Sequence, residues 1–152
     1  GGMTILDQLA DHARKRVIAD MEENSLDTMR ELAKLKSSAT GKPFAFEQAL
    51  KKEDVSFICE CKKASPSKGL IAPNFPYLEI TKEYETAGAD CISVLTEPKW
   101  FLGNDEYLKE IAKTVSIPCL RKDFTVDEYM IYEAKVLGAS AVLLICSILK
   151  IR

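Results

Sequence analysis

Apolar residues recur at helical spacing over the amino-terminal third of the chain and at strand spacing beyond it. Leu6, Leu9, Ala10, Ala13 and Val17 form one stripe of a helix, with Thr4 placed to cap its first turn. Leu26, Met29, Leu32 and Ala33 form a second stripe, predicting a helix over 26–36 capped by Asn24 or Ser25. Thr40-Gly41-Lys42-Pro43 ends that region, and a short helix over 46–51 leads into the first strand. From there strand and helix alternate. Strands are predicted over 57–62, 91–95, 117–121 and 141–146, and helices over 78–87, 106–115 and 126–137. The last helix is preceded by Thr125-x-x-Glu128, the spacing of a capping box. Two helices end alike, in Ala87-Gly88-Ala89-Asp90 and Leu137-Gly138-Ala139-Ser140, each running straight into a strand. Glycine there supplies a left-handed residue after the last turn, and the recurrence points to a repeated βα unit.

Strands rich in Val, Ile, Leu and Cys, each followed by a helix, predict a parallel sheet with helices outside. Such units close into a barrel or spread as a doubly wound sheet. No G-x-G-x-x-G follows the first strand, so the dinucleotide fingerprint is missing. Polar residues instead collect at several strand ends, which fits either architecture and is the rule in eight-stranded barrels. Residues 1–3 read as a tag remnant and start, 4–52 as a helical extension, and 53–152 as the α/β domain.

Composition narrows the function. At 47% hydrophobic and 29% charged residues the chain is globular, and a net charge of −2 gives no electrostatic footprint for nucleic acid. The longest apolar run, 139–149, is far short of the ~20 residues of a membrane helix. Five cysteines in apolar strand-like runs, without an export signal, read as reduced thiols of a cytoplasmic protein. Cys59-x-Cys61 has no accompanying histidine and reads as packing, so neither metal nor cofactor is expected. His12, the single histidine, sits among helical charges and is expected at the surface.

The candidate chemistry centres on 57–69, FICECKKASPSKG. In a strand, Phe57, Cys59 and Cys61 point one way, and Ile58, Glu60 and Lys62 the other. A carboxylate and an ammonium thus share one face at the strand's carboxyl end, followed by a loop carrying Ser65, Pro66, Ser67 and Gly69. Such a grouping suits an anionic substrate; a solvated strand end is the plain alternative. Leu120 and Lys122 share a face at a second strand end, with Phe124 beyond them, and a third end carries Trp100 and Phe101. On their own, Phe124 reads equally as core, Phe101 as a loop anchor, and Glu60–Lys62 as a structural ion pair.

Three separated motifs carry a resemblance. Glu60-x-Lys62-x-x-Ser65-Pro66-Ser67, Leu95-Thr96-Glu97 with Phe101-x-Gly103, and Ile117-Pro118-x-Leu120-x-Lys122-Asp123-Phe124 resemble indole-3-glycerol phosphate synthase from Leu6 onward. The resemblance implies the amino-terminal portion, about four strands, of a (βα)8 TIM barrel preceded by a helical extension. It also implies ring closure, decarboxylation and dehydration of 1-(2-carboxyphenylamino)-1-deoxyribulose 5-phosphate in tryptophan biosynthesis. By the same resemblance the catalytic residues are Lys122, a general acid, Lys62, which holds the substrate carboxylate and is a second candidate proton donor, and Glu60, which pairs with both lysines and assists catalysis. Ser65 is assigned to the phosphate, Phe101 and Phe124 to the walls of the anthranilate pocket, and Leu120 and Leu143 to its lining.

A lysine that donates a proton near neutral pH needs its pKa lowered, which burial or a neighbouring ammonium can do. The family's later strands supply a glutamate base, an asparagine and most of the phosphate loops. The 152 residues are therefore expected to be inactive alone, with open sheet edges that self-associate. The alternatives are a non-catalytic half barrel, or another phosphate-binding barrel such as phosphoribosylanthranilate isomerase. The expected partner is a small phosphorylated substrate, not nucleic acid or membrane.

Overall fold

The computed structural model of the protein describes residues 4–40, 58–65, 67–71 and 74–150, with backbone alone at 6, 37–40 and 141–150. The predicted helix over 46–51, Phe57 and Pro66 lie outside the described residues.

Two helices come first. In α1 (Ile5–Glu23) Thr4 Oγ1 accepts from Asp7 N at 3.2 Å, and Thr4 N donates to Asp7 Oδ2 at 3.1 Å, a reciprocal cap. In α2 (Leu26–Thr40) Ser25, not Asn24, caps, its Oγ accepting from Thr28 N at 3.2 Å. Then follow β1 (Ile58–Cys61), β2 (Ala64–Ser65), β3 (Gly69–Leu70), α3 (Tyr77–Thr86), β4 (Cys91–Leu95), α4 (Asp105–Thr114), β5 (Cys119–Asp127), α5 (Glu128–Leu137) and β6 (Ala141–Lys150).

Four strands form one parallel sheet in the order β1-β4-β5-β6. Neighbours in space are neighbours in the alternating βα sequence, with no reversal of order. A doubly wound sheet would turn back at a switch point, so this is barrel topology. Gly88 (φ 98) and Gly138 (φ 105) close the two matching turns. In each, the residue after the glycine bonds five residues back, Ala89 N to Tyr84 O at 2.9 Å and Ala139 N to Ala134 O at 3.0 Å.

Two apolar layers sit against the sheet. On the outer face Cys61, Ile92, Val94 and Cys119 pack on Leu108, Ile111 and Val115 of α4 and its end. Burial pushes the Cys61 and Cys119 thiols up to about 12, so both stay protonated packing groups. The second layer joins Leu9, Ala10, Ala13 and Val17 of α1 and Met29 of α2 to Phe124, Val126, Tyr129 and Met130. The amino-terminal helices therefore share a core with the end of β5 and with α5.

Four local expectations change. The loop after β1 contains a small antiparallel hairpin, with Ala64 opposite Leu70 and Ser65 opposite Gly69. Gly69, at φ 62, supplies the left-handed residue that turns it. The third predicted strand runs on to Asp127, because pairing with β6 continues through Asp123–Leu144, Thr125–Ser147 and Asp127–Lys150, with register shifts between them. The Thr125–Glu128 box consequently does not form. Asp127 caps α5 instead, accepting from Tyr129 N at 3.0 Å, and the buried Thr125 hydroxyl has no hydrogen-bond partner among the described residues. His12 is half-buried rather than at the surface, edge-on to Trp100 with ring centroids 6.0 Å apart.

Candidate active site

In parallel strands, residues paired across the ladder point to the same side. Glu60 is level with Ser93 and Leu120, and Leu95 is level with Lys122 and Leu143. Glu60, Leu120 and Lys122 thus share the inner face, opposite the face that packs on α4. Leu120 is fully buried and forms a floor. Above it Lys122 Nζ donates to Glu60 Oε1 at 2.6 Å, while Lys62 Nζ stands 3.2 Å from Glu60 Oε2. One carboxylate thereby holds two ammonium groups, each about one-third exposed. Burial alone would push the Glu60 carboxyl up. The bonds and charges of Lys122 and Lys62 outweigh it and hold Glu60 below its ordinary value. The site is an ionised carboxylate with two cations, carrying one net positive charge beside solvent.

Two loops rise around this cluster. Ser65 is buried, and its Oγ accepts from Lys68 N at 3.2 Å, closing the hairpin turn. Half-buried Phe101 follows β4, and its carbonyl accepts from Ala64 N at 3.2 Å, joining the two loops. Phe124 is covered by α1 in the second core layer and is 1% exposed. Leu143 pairs with Lys122 in register; its side chain lies outside the described residues. The structure therefore brings Glu60, Lys62, Lys122 and Leu120 together, sets Ser65 and Phe101 in the adjoining loops, and encloses Phe124 beneath α1.

The flanks of Lys122 hold two charged residues that sequence reasoning left without a role. Arg121 and Asp123 point away from the inner face and are buried. Arg121 donates from Nε to Thr96 Oγ1 (3.1 Å), from Nη1 to Glu133 Oε1 (2.8 Å) and from Nη2 to Asp105 Oδ1 (2.8 Å). Asp123 takes a two-pronged pair from Arg16 of α1, at 3.0 and 2.7 Å, and a 2.6 Å bond from Thr96 Oγ1. Burial would raise the Asp123 carboxyl, but Arg16, Arg121 and Thr96 hold it below its ordinary value. Three charges in succession inside one buried strand were the available signal, since alternate faces of such a strand must each find counter-charges. Oxygens of Asp20, Asp105 and Glu133 converge within 4.8 Å of one another, and the Arg121 guanidinium occupies two of these carboxylates.

Sequential parallel strands with charged side chains gathered beyond their carboxyl ends are those of part of a (βα)8 barrel. A family model of indole-3-glycerol phosphate synthase matches residues 6–152, and the chain belongs to that family. It is 57% identical over 146 residues to the indole-3-glycerol phosphate synthase of Ruminiclostridium cellulolyticum, covering 95% of this chain and 55% of the relative. The synthase of Endomicrobium trichonymphae is 51% identical over 146 residues, with 95% and 55% covered. That of Thermoanaerobacter pseudethanolicus is 47% identical over 146 residues, with 95% and 54% covered. The chain spans about half the length of the curated relatives it matches.

Proposed function

We propose that the protein is an indole-3-glycerol phosphate synthase, a carboxy-lyase that closes the indole ring of 1-(2-carboxyphenylamino)-1-deoxyribulose 5-phosphate with loss of carbon dioxide and water. The observation that carries this reading is the Lys122–Glu60–Lys62 cluster, built across β1 and β5 on the inner face. Lys62 is assigned to the substrate carboxylate, which would replace part of its bond to Glu60. Lys122 is assigned as the general acid that protonates oxygen as the ring closes, with Glu60 holding it in place until substrate arrives. Two cations on one anion suit this work, because the surplus charge attracts a substrate that carries both a carboxylate and a phosphate. Ser65 is assigned to the phosphate side. Phe101 and Phe124 with Leu120 and Leu143 are assigned to the anthranilate side.

The complementary base and remaining phosphate contacts are assigned to the half of the relatives' length that this chain does not span. No described helix is long and apolar enough to cross a membrane, and we assign the cytoplasm as the site of action. The test is turnover of the anthranilate deoxyribulose phosphate followed by indole fluorescence. It uses the 152-residue chain alone and with the complementary half supplied. No signal alone and signal on mixing supports a split synthase site. No signal in either case, or in the full-length protein, overturns the reading. Size measurement of the chain alone tests self-association through β1 and β6, the edges of the described sheet.

A further inference from the structure

Glu97 is 1% exposed, yet among the described residues its partners are all backbone N–H groups. Its carboxylate accepts from Lys99 N, from Trp100 N at 2.9 and 3.0 Å, and from Phe101 N at 3.5 Å. A buried anion is stable there because several N–H groups of one turn point at it together. The turn is closed behind by Gly103, whose N–H donates to Glu97 O at 2.8 Å. A Cβ on Gly103 would stand 2.3 Å from Leu95 O, so the loop lies flat against the end of β4. Its two aromatic residues then go to fixed places. Trp100 packs against His12 and the α1 core, and Phe101 is tied through its carbonyl to Ala64 in the neighbouring loop.

We propose that Glu97 is a positioning residue for substrate selection: its carboxylate fixes the 99–101 backbone so that Phe101 stands as a preformed wall against the aromatic ring of the substrate. This rests on the synthase reading. Glu97 faces backbone and touches no reacting atom, so it acts through the placement of Phe101, and its loss should weaken binding of the ring more than the chemical steps.

The test is steady-state kinetics of the full-length protein and of its E97Q, F101A and E97Q/F101A variants. Gln keeps one carbonyl oxygen but turns an amide group toward N–H donors, so part of the turn is released. E97Q is expected to raise KM by about tenfold with kcat within about twofold of wild type. The double variant is expected to be no worse in KM than F101A, because the wall that Glu97 sets is already gone. A purely structural role would lower Tm and leave KM unchanged, or add its effect to that of F101A, and either result overturns the proposal. Should E97Q not fold, E97D carries the test, since it keeps the charge and shortens its reach; unchanged KM in E97D has the same meaning. No turnover by the wild type would remove the synthase reading instead. Glu97 is then judged by anthranilate binding to the same proteins, read from the change in anthranilate's own fluorescence. Weaker binding in E97Q sustains its role in shaping the pocket, and equal binding ends it.

Discussion

Lys122 Nζ lies 2.6 Å from Glu60 Oε1 although their strands are separated by β4. The bond crosses the inner face of the sheet, and its length depends on the register that sets Glu60 level with Leu120 and Lys122 level with Leu95. Lys122 is thus aimed by a partner 62 residues away in sequence, not by its own neighbours. In the full-length protein, Lys122→Ala is expected to reduce kcat by about 10²–10⁴, the range of a general acid, and to change KM far less. Glu60→Gln keeps the shape and removes the charge, and is expected to reduce kcat by about tenfold or more. Steady-state kinetics on both variants decide this, and wild-type turnover by Lys122→Ala would end its assignment as the acid.

The fork between Arg16 and Asp123 fastens α1 to the residue beside Lys122. Its two ends differ in access to water, with Arg16 at 19% exposure and Asp123 at 0%. Removing the arginine strands a buried carboxylate, whereas neutralising the aspartate leaves an arginine that water can reach. Arg16→Ala is therefore expected to destabilise the protein by about 3 kcal/mol, and Asp123→Asn by about half that. Urea denaturation gives both values. The opposite order would mean that Thr96 and Arg121 satisfy Asp123 without α1.

How far the sequence reveals this arrangement depends on the range of each interaction. Glu60, Lys62 and Lys122 are legible because strand alternation alone assigns them to faces, and the matching glycine turns are legible because Gly88 and Gly138 act within their own helix ends. The partner of Asp123 is 107 residues away on a helix whose charges all look alike in sequence, so Arg16 carries no local mark. Thr125 and Asp127 are both good caps by residue type. The choice of Asp127 follows from pairing of β5 with β6, a tertiary fact. Phe124 reads as a pocket wall or as core from its position, and the packing of α1 places it in the core layer.

Gly103 and Gly88 separate two reasons for a glycine. At Gly103 a Cβ would meet Leu95 O at 2.3 Å and Thr96 Cα at 2.7 Å, backbone atoms that cannot swing aside. At Gly88 the space is open and only the positive φ of 98° disfavours a side chain. Gly88→Ala is expected to cost about 1 kcal/mol. Gly103→Ala is expected to cost about 3 kcal/mol or more and to disturb the 97–103 loop, since backbone must move. Thermal denaturation of the two variants side by side tests the distinction, and equal losses would mean that the loop yields freely.

The group that should dominate the pH response near neutrality is Glu133 of α5, which faces Arg121 of β5, Asp20 of α1 and Asp105 of α4. Burial raises its carboxyl, Arg121 opposes, and the neighbouring Asp20 carboxylate raises it further, leaving it at about 7 against an ordinary 4.5. Between those values the folded chain keeps a proton that the unfolded chain has released, so this group's contribution to stability falls as pH rises from 4.5 to about 7. Glu60 and Asp123 act with the opposite sign, since their carboxyls are held low; their contribution is complete above the ordinary carboxylate range and is lost as pH falls. Glu133→Gln removes the first titration while its amide can still accept from Arg121 and donate to Asp20. The stability of the variant relative to wild type is therefore expected to improve as pH rises through that window, by an amount on the order of 1–3 kcal/mol. Denaturation of both proteins at matched ionic strength from pH 4.5 to 8 measures it. A difference that does not vary with pH would show that Glu133 is already ionised throughout, with Arg121 alone compensating the cluster.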